Sequence, residues 1–242
     1  MEILKSVQVE NVLFLDIETV PAVADFSLLA PEWRDLWDKK SKTITKTEES
    51  ASDLYNRAGI YAEFGKIVCI GIGVLRRGKD GMQLRVKSLS GHNEFELLQE
   101  FAMLMEKSFP GPPHLLCAHN GKEFDFPFLA RRMMINGIKL PKLLDMSGKK
   151  PWEIPHIDTM ELWKFGDFKS FTSLNLLAHL FGLPTPKDDI DGSKVWSVYW
   201  QENDLDRIAR YCVKDVVTLV QVFLKFRGEK TIEADAVVVS ES

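Results

Sequence analysis

Residues 11–16, Asn-Val-Leu-Phe-Leu-Asp, are apolar at nearly every position, the pattern of a central strand covered on both faces. KIVCIGIGVLRR and MQLRVKSLS read as two further strands joined by a turn at RGKDG. In NEFELLQEFAMLMEKSF the period changes: Phe95, Leu98, Phe101, Ala102 and Met105 share one helical face, and the pattern stops before Pro110. HLLCAHN is the next apolar strand. A helix then opens with Pro127 in its first turn and Gly137 just past its last periodic residue. PHIDTMELW reads as a short strand, and three helices over roughly 171–181, 193–201 and 204–227 follow, the first closed by Gly182 with Pro184 beyond.

Two stretches break this order. From about Pro21 to Tyr61 the chain is polar and irregular, with one aromatic cluster (PEWRDLW) and the segment KKSKTITKTEES, so a partly helical surface insertion at about 22–62 is expected. The last residues, RGEKTIEADAVVVSES, read as a loosely attached tail. There is no internal repeat. Strands in hairpin order, then strands alternating with helices, predict an α/β fold with a mixed sheet flanked by helices on both sides. The expected division is a single domain over 1–227 and a tail over 228–242.

Length and composition narrow the class. The 242 residues, 45% of them hydrophobic, suit one ordinary domain with a sizeable core and exclude global disorder. No apolar stretch reaches membrane-spanning length, MEILKSVQVE has no secretory apolar region, and no membrane association is expected. Cys69, Cys117 and Cys212 lie far apart in apolar surroundings without a C-x-x-C spacing. They read as reduced core residues of a cytoplasmic protein. A net charge of −4 argues against a broad electrostatic nucleic-acid binder, which carries a basic stripe, but not against a small site gripping one chain end.

The candidate chemistry is acidic. Asp16 and Glu18 are two apart at the end of the first strand, so both project from one side of it. Alone, the pair could be a strand end reaching solvent. Asp125 stands between a strand and a helix opened by proline, where an acid also serves as a plain helix cap. Tyr211 and Asp215 are neighbours on one helical face, at the rim of a stripe containing Leu205, Ala209, Cys212, Val216, Leu219 and Phe223. If the fold gathers these four acids, their repulsion of several kcal/mol per pair (at ~4 Å and an effective dielectric near ~20) calls for cations. Oxygen ligands alone favour Mg²⁺ or Mn²⁺, ions suited to phosphoryl chemistry.

Other features carry less. Gly71-Ile72-Gly73 lies within a strand and lacks the third glycine of a dinucleotide fingerprint. The tryptophans at 33, 37, 152, 163, 196 and 200 read as anchors rather than a stacking track. Arg131, Arg132, Lys187 and Lys194 could touch phosphates but fit solvated faces. Asp158 is a strand-end acid that no spacing argument selects.

Taken in order, D-x-E-T (Asp16, Glu18, Thr19), N-G-x-x-F-D (residues 120–125) and Y-x-x-x-D (Tyr211 to Asp215) resemble the three exonuclease motifs of the DEDD superfamily, in its DEDDy branch. EFGKIVCIGIG, HIDTMELW, SLNLLAHLFGLP and KDDIDGSKV resemble stand-alone relatives of the proofreading domain of family B DNA polymerases, over about residues 10–227. The resemblance implies a ribonuclease H-like fold, a five-stranded mixed sheet with the first strand central, and a free exonuclease domain. It implies two divalent ions, Mg²⁺ or Mn²⁺: Asp16 bridging both, Glu18 and Asp215 holding the first, Asp125 the second through water. It implies that Tyr211 aims the attacking water, with Glu18 assisting. Thr19 and Asn120 would seat the terminal nucleotide, with Phe124 packing nearby. The implied partner is a nucleic acid 3′ end, most readily single-stranded DNA, released as nucleoside 5′-monophosphates. A 3′–5′ exoribonuclease is the alternative, and a binding domain without catalysis is a third reading. The 22–62 insertion, placed directly after the first motif, is a candidate wall of the substrate groove.

Overall fold

The computed structural model describes residues 1–44, 49–78, 81–184 and 190–240. The first apolar run becomes β1 (Val12–Pro21), longer than expected because it continues through the acidic pair. β2 (Gly65–Gly78) and β3 (Gly81–Ser90) follow as an antiparallel hairpin, and β4 (Leu115–Ala118) and β5 (Ile157–Asp158) pair in parallel beyond β1. The turn expected at RGKDG includes residues 79–80, which lie outside the described residues. β6 (Val237–Val239) completes the sheet in the order β5-β4-β1-β2-β3-β6. β1 is central, and the first five strands give the ribonuclease H-like order.

Six strands rather than five is a correction, and it comes from the tail. Residues 237–239 are three consecutive valines, and they pair in parallel with β3 through Leu84, Arg85 and Val86. β3 would otherwise be an edge with unpaired backbone groups, and β-branched side chains suit a pleated surface. Gln221 ties down the approach to β6, its side-chain amide donating to the Ile232 carbonyl at 2.7 Å and accepting the Ile232 amide at 2.9 Å.

Eight α-helices are described: α1 (Glu2–Lys5), α2 (Pro31–Ile44), α3 (Glu94–Ser108), α4 (Asp125–Ile135), α5 (Thr159–Lys164), α6 (Leu174–Leu180), α7 (Val195–Trp200) and α8 (Leu205–Arg227). α5 corrects a second expectation. PHIDTMELW supplies only a two-residue strand before Asp158 caps a helix, accepting the amides of Met160 at 2.9 Å and Glu161 at 3.2 Å.

The sheet divides two cores because strand side chains alternate. Leu13, Leu15 and Ile17 pack with Leu98, Phe101 and Met105 of α3 and Phe128, Leu129 and Met133 of α4. Val12 and Phe14 face the other way, against Val216, Leu219, Val220 and Phe223 of α8. Phe14 and Phe223 meet edge to face, ring centroids 5.0 Å apart, and each such buried ring contributes about 1.5–3 kcal/mol over exposure. By parity Asp16 and Glu18 belong to the α8 side. Gly71 and Gly73 of β2 let α8 come close: a Cβ at Gly71 would stand 2.8 Å from Cys212 Sγ, and one at Gly73 2.8 Å from Val216 Cγ1.

The 22–62 segment contains α2 and has a core of its own around Leu29, Trp37, Leu54, Tyr55 and Ala58. Trp37 is fully buried and its indole donates to the Ala51 carbonyl at 2.7 Å. No helix among the described residues is long and apolar enough to cross a membrane.

Candidate active site

β4 pairs with β1 only from Val12 to Phe14. Past that point the β4 side of β1 is open, the crevice at the carboxyl ends of parallel strands where ligands bind in open α/β sheets. Asp125, the first residue of α4, reaches into this gap. Its Oδ1 accepts the otherwise free Ile17 amide at 3.1 Å. The turn leading to Asp125 is tightly specified. Asn120 is in the left-handed conformation (φ 64°), which asparagine tolerates. At Gly121 a Cβ would stand 2.4 Å from the Ala118 Cβ, so only glycine fits there.

Asp158 fastens that turn. It is buried, and besides capping α5 it accepts the amides of Asn120 at 2.9 Å and Lys122 at 3.0 Å. One carboxylate therefore satisfies four backbone donors and joins the end of β5 to the loop presenting Asp125. The sequence places Asp158 near the site; its four-amide role shows only once the chain is folded.

α8 supplies the remaining groups. The Tyr211 hydroxyl hydrogen-bonds Asp215, one turn on. Burial, then the charges of Asp215, Glu18 and Asp16, raises the Tyr211 pKa far above its ordinary value, so the phenol stays a donor at neutral pH. Asp16 is pushed well up by burial, then by Asp125 and Asp215. Glu18 is pushed well up by burial, then by Asp16 and Asp215. The nearness of the Asp16 carboxyl to that of Glu18 adds a smaller upward push on Glu18. Asp125 is raised to about 7, chiefly by burial and against the Ile17 amide.

Cys212 belongs to this cluster, which its reading as a core residue missed. It is fully buried, with Sγ 3.5 Å from both the backbone oxygen and Oδ2 of Asp16. Ligand atoms of Asp16, Glu18 and Cys212 all lie within 4.8 Å of one another. Carboxylates this close, with their charge suppressed by burial and by each other, fit a divalent cation that would restore ionisation.

The cluster opens on a cleft of about 470 Å³. Asp16, Glu18, Tyr211 and Asp215 line it, as do Thr19 and Phe124. A β-bulge between Glu18 and Thr19 breaks the alternation that would turn Thr19 away from Glu18. Asp125 and Asn120 are not among the described lining residues; Asp125 is buried beside the cleft and Asn120 lies in the adjoining turn. One wall is the 3-10 turn Tyr55–Ile60 of the insertion, through Asn56, Arg57, Gly59 and Ile60. Trp196 of α7, a tryptophan the sequence suggests only as an anchor, also lines the cleft. Of the four cations weighed as phosphate contacts, Arg132 is committed elsewhere. It pairs with buried Glu94 and donates to the Ala62 carbonyl at 2.9 Å, and Glu94 also accepts the Ile67 amide at 2.8 Å. Lys187 lies outside the described residues, and Arg131 and Lys194 do not line the cleft.

A ribonuclease H-like sheet with a carboxylate cluster at the end of its central strand defines a nuclease-type α/β domain. Residues 60–236 match the family described as a predicted 3′–5′ exonuclease related to the exonuclease domain of PolB, and the chain belongs to that family. The matched span contains Asp125, Tyr211 and Asp215, whereas Asp16 and Glu18 precede it and join the site through β1. Among solved structures, the chain is similar to the family B DNA polymerase of the hyperthermophilic archaeon Pyrobaculum calidifontis, at 18% identity and TM-score 0.48 over 89% of this chain. It spans 24% of that polymerase. It is also similar to the RNase domain of the yeast Pop2 protein, at 13% identity and TM-score 0.43, over 98% of this chain and 83% of that one.

Proposed function

We propose that this protein is a DEDDy-type 3′–5′ exonuclease that removes nucleoside 5′-monophosphates from the 3′ end of single-stranded DNA, using two divalent ions, Mg²⁺ or Mn²⁺. The observation that carries the reading is the meeting of Asp16, Glu18, Tyr211 and Asp215, from β1 and α8, in one cleft. DNA is the favoured substrate because the family is defined by its relation to a polymerase exonuclease domain.

Asp16, Glu18 and Asp215 would hold one ion, and Asp16 with Asp125 the other. When bound, such ions supply an activated water and neutralise charge on the leaving oxygen. The chain's own groups do the positioning. Tyr211, protonated at neutral pH, donates a hydrogen bond that orients the attacking water, while Glu18 accepts from that water. The water oxygen bonds to phosphorus, the P–O3′ bond breaks, and the 3′ oxygen leaves with the shortened strand and takes up a proton. Thr19 and Phe124, on the cleft surface, would seat the terminal nucleotide. Asn120 would contribute through the turn that presents Asp125.

The test is a 5′-labelled single-stranded DNA and its RNA counterpart, incubated with Mg²⁺, Mn²⁺ or EDTA, with Asp16→Ala as control. The expected result is a metal-dependent ladder shortening from the 3′ end, faster on DNA and absent in the variant. A faster RNA ladder would reassign the substrate, and no ladder on either strand, despite demonstrated Mn²⁺ binding, would count against the reading.

A further inference from the structure

The cleft is also lined by groups that the acidic cluster does not use. Arg57, on the 3-10 turn of the insertion, is exposed and makes no ion pair with a described residue. Among the described residues lining the cleft it bears the only positive charge. Trp196, which also lines the cleft, has a different peculiarity. Its Nε1 is buried and has no acceptor among the described residues. Other indoles of this protein are satisfied: Trp37 donates to Ala51, and Trp200 donates to the Pro21 carbonyl at 3.1 Å. A buried N–H without an acceptor is rare in folded proteins and calls for an explanation, and this one belongs to a residue that lines the cleft.

Resting on the exonuclease reading, we propose that Arg57 and Trp196 form a two-sided clamp on the sugar–phosphate backbone of a single-stranded nucleic acid. The guanidinium pairs with a backbone phosphate away from the bond being cut, and the indole N–H donates to an oxygen of the same strand. Backbone rather than base is the target because an enzyme shortening any 3′ end must grip without reading sequence, and phosphate contacts position a strand without sequence information. A net acidic protein also needs a local cation beyond the metal centre to draw in a polyanion. Arg57 precedes the family-matched span and Trp196 lies within it, so the 22–62 segment would supply one half of the clamp.

The experiment is equilibrium binding of a 5′-fluorescein single-stranded DNA, read by anisotropy over a salt series. The full chain carries Asp16→Asn, so that the probe is not consumed, and is compared with the same chain carrying Arg57→Gln or Trp196→Phe. Arg57→Gln should weaken binding about tenfold and reduce the slope of log affinity against log salt by about 0.7, the value for one phosphate contact on a single strand. Trp196→Phe keeps an aromatic ring but loses the N–H. It should weaken binding roughly fivefold with the slope unchanged, while any fall in melting temperature reports only the packing lost with the smaller ring. An unchanged slope in Arg57→Gln, or unchanged affinity in Trp196→Phe, overturns the clamp, as does failure of the parent chain to bind single strands at all. If the wild-type ladder forms while both variants bind normally, the clamp fails and the exonuclease stands. If binding depends on both Arg57 and Trp196, with the slope lowered by Arg57→Gln, but no ladder forms, the clamp stands and the exonuclease reading fails.

Discussion

A methyl group added at Gly71 would lie 2.8 Å from Cys212 Sγ and 2.9 Å from Val216 Cγ2, both on α8. Gly71 pairs with Asp16 across the antiparallel β1–β2 ladder, so this contact sets how near α8 comes to the carboxylates. Gly71→Ala should cost about 1–3 kcal/mol by overpacking. It should also weaken Mn²⁺ binding measured by calorimetry, because Asp215 moves away from Asp16 and Glu18. Unchanged melting temperature and Mn²⁺ affinity would show that the close approach does not build the site. Tyr211→Phe isolates the opposite case: it keeps the ring and should leave Mn²⁺ affinity intact, but lower turnover roughly 100-fold by misaiming the water; equal turnover would remove Tyr211 from the mechanism. The sequence made the charged residues of the site legible because strand parity and helical spacing put Asp16 with Glu18 and Tyr211 with Asp215. It left Gly71 illegible, since a glycine inside a strand reveals nothing of a helix packed on it from far along the chain. Cys212 and Trp196 were masked for the same reason: thiols and indoles are ordinary core residues until the fold sets one beside a carboxylate and the other on a cleft.

At the scale of elements, Asp158 links three pieces: the end of β5, the first turn of α5 and the 120–122 turn. Asp158→Ala strands four backbone amides. With hydrogen bonds to a charged acceptor worth roughly 1.5–3 kcal/mol each and partial rescue by water, the loss should be at least about 3 kcal/mol, read from the urea midpoint. Asp158→Asn should lose less. An amide oxygen in the place of Oδ1 can keep the bonds to Asn120, Met160 and Glu161, while its NH₂ meets the Lys122 amide donor to donor. Equal losses in the two variants would contradict this assignment. The long elements were legible because their signals are local. α3 has Asn93 as a side-chain cap and α8 has Asp204, with Gly228 closing α8 in the left-handed conformation. The short ones were not. β5 is two residues held by its neighbour β4, and β6 is a strand only because β3 offers an open edge.

For the molecule as a whole, the crowding of acids without cations makes stability depend on pH and metal. Asp16, Glu18 and Asp125 all have folded pKa values above their unfolded ones, Asp125 at about 7. Between the unfolded values near ~4 and those raised values, the folded state binds more protons than the unfolded state. Stability therefore falls as pH rises through this window. His156 acts in the opposite sense. Buried and neutral, with its pKa lowered to about 4 mainly by desolvation, it withdraws stability as pH falls below its ordinary value, and His119 is shifted the same way. The two effects overlap, so a melting curve of the wild type alone does not separate them. Asp16→Asn does, because the histidine contributions cancel in the difference while one buried charge is removed. In EDTA the variant should melt above the wild type at neutral pH, and the gap should close as pH falls to ~3, below the unfolded value, where Asp16 is protonated in both states. Excess Mn²⁺ should invert the order. The ion binds the ionised carboxylates of the wild type and stabilises it in proportion to the logarithm of its concentration over Kd, whereas the variant lacks one carboxylate of the proposed ion site. Thermal melts across pH, with EDTA or Mn²⁺, measure all of this in one series. A variant that melts below the wild type in EDTA at neutral pH would mean that Asp16 holds the metal-free fold together rather than straining it, and the case for a cation-dependent centre would lose its electrostatic basis.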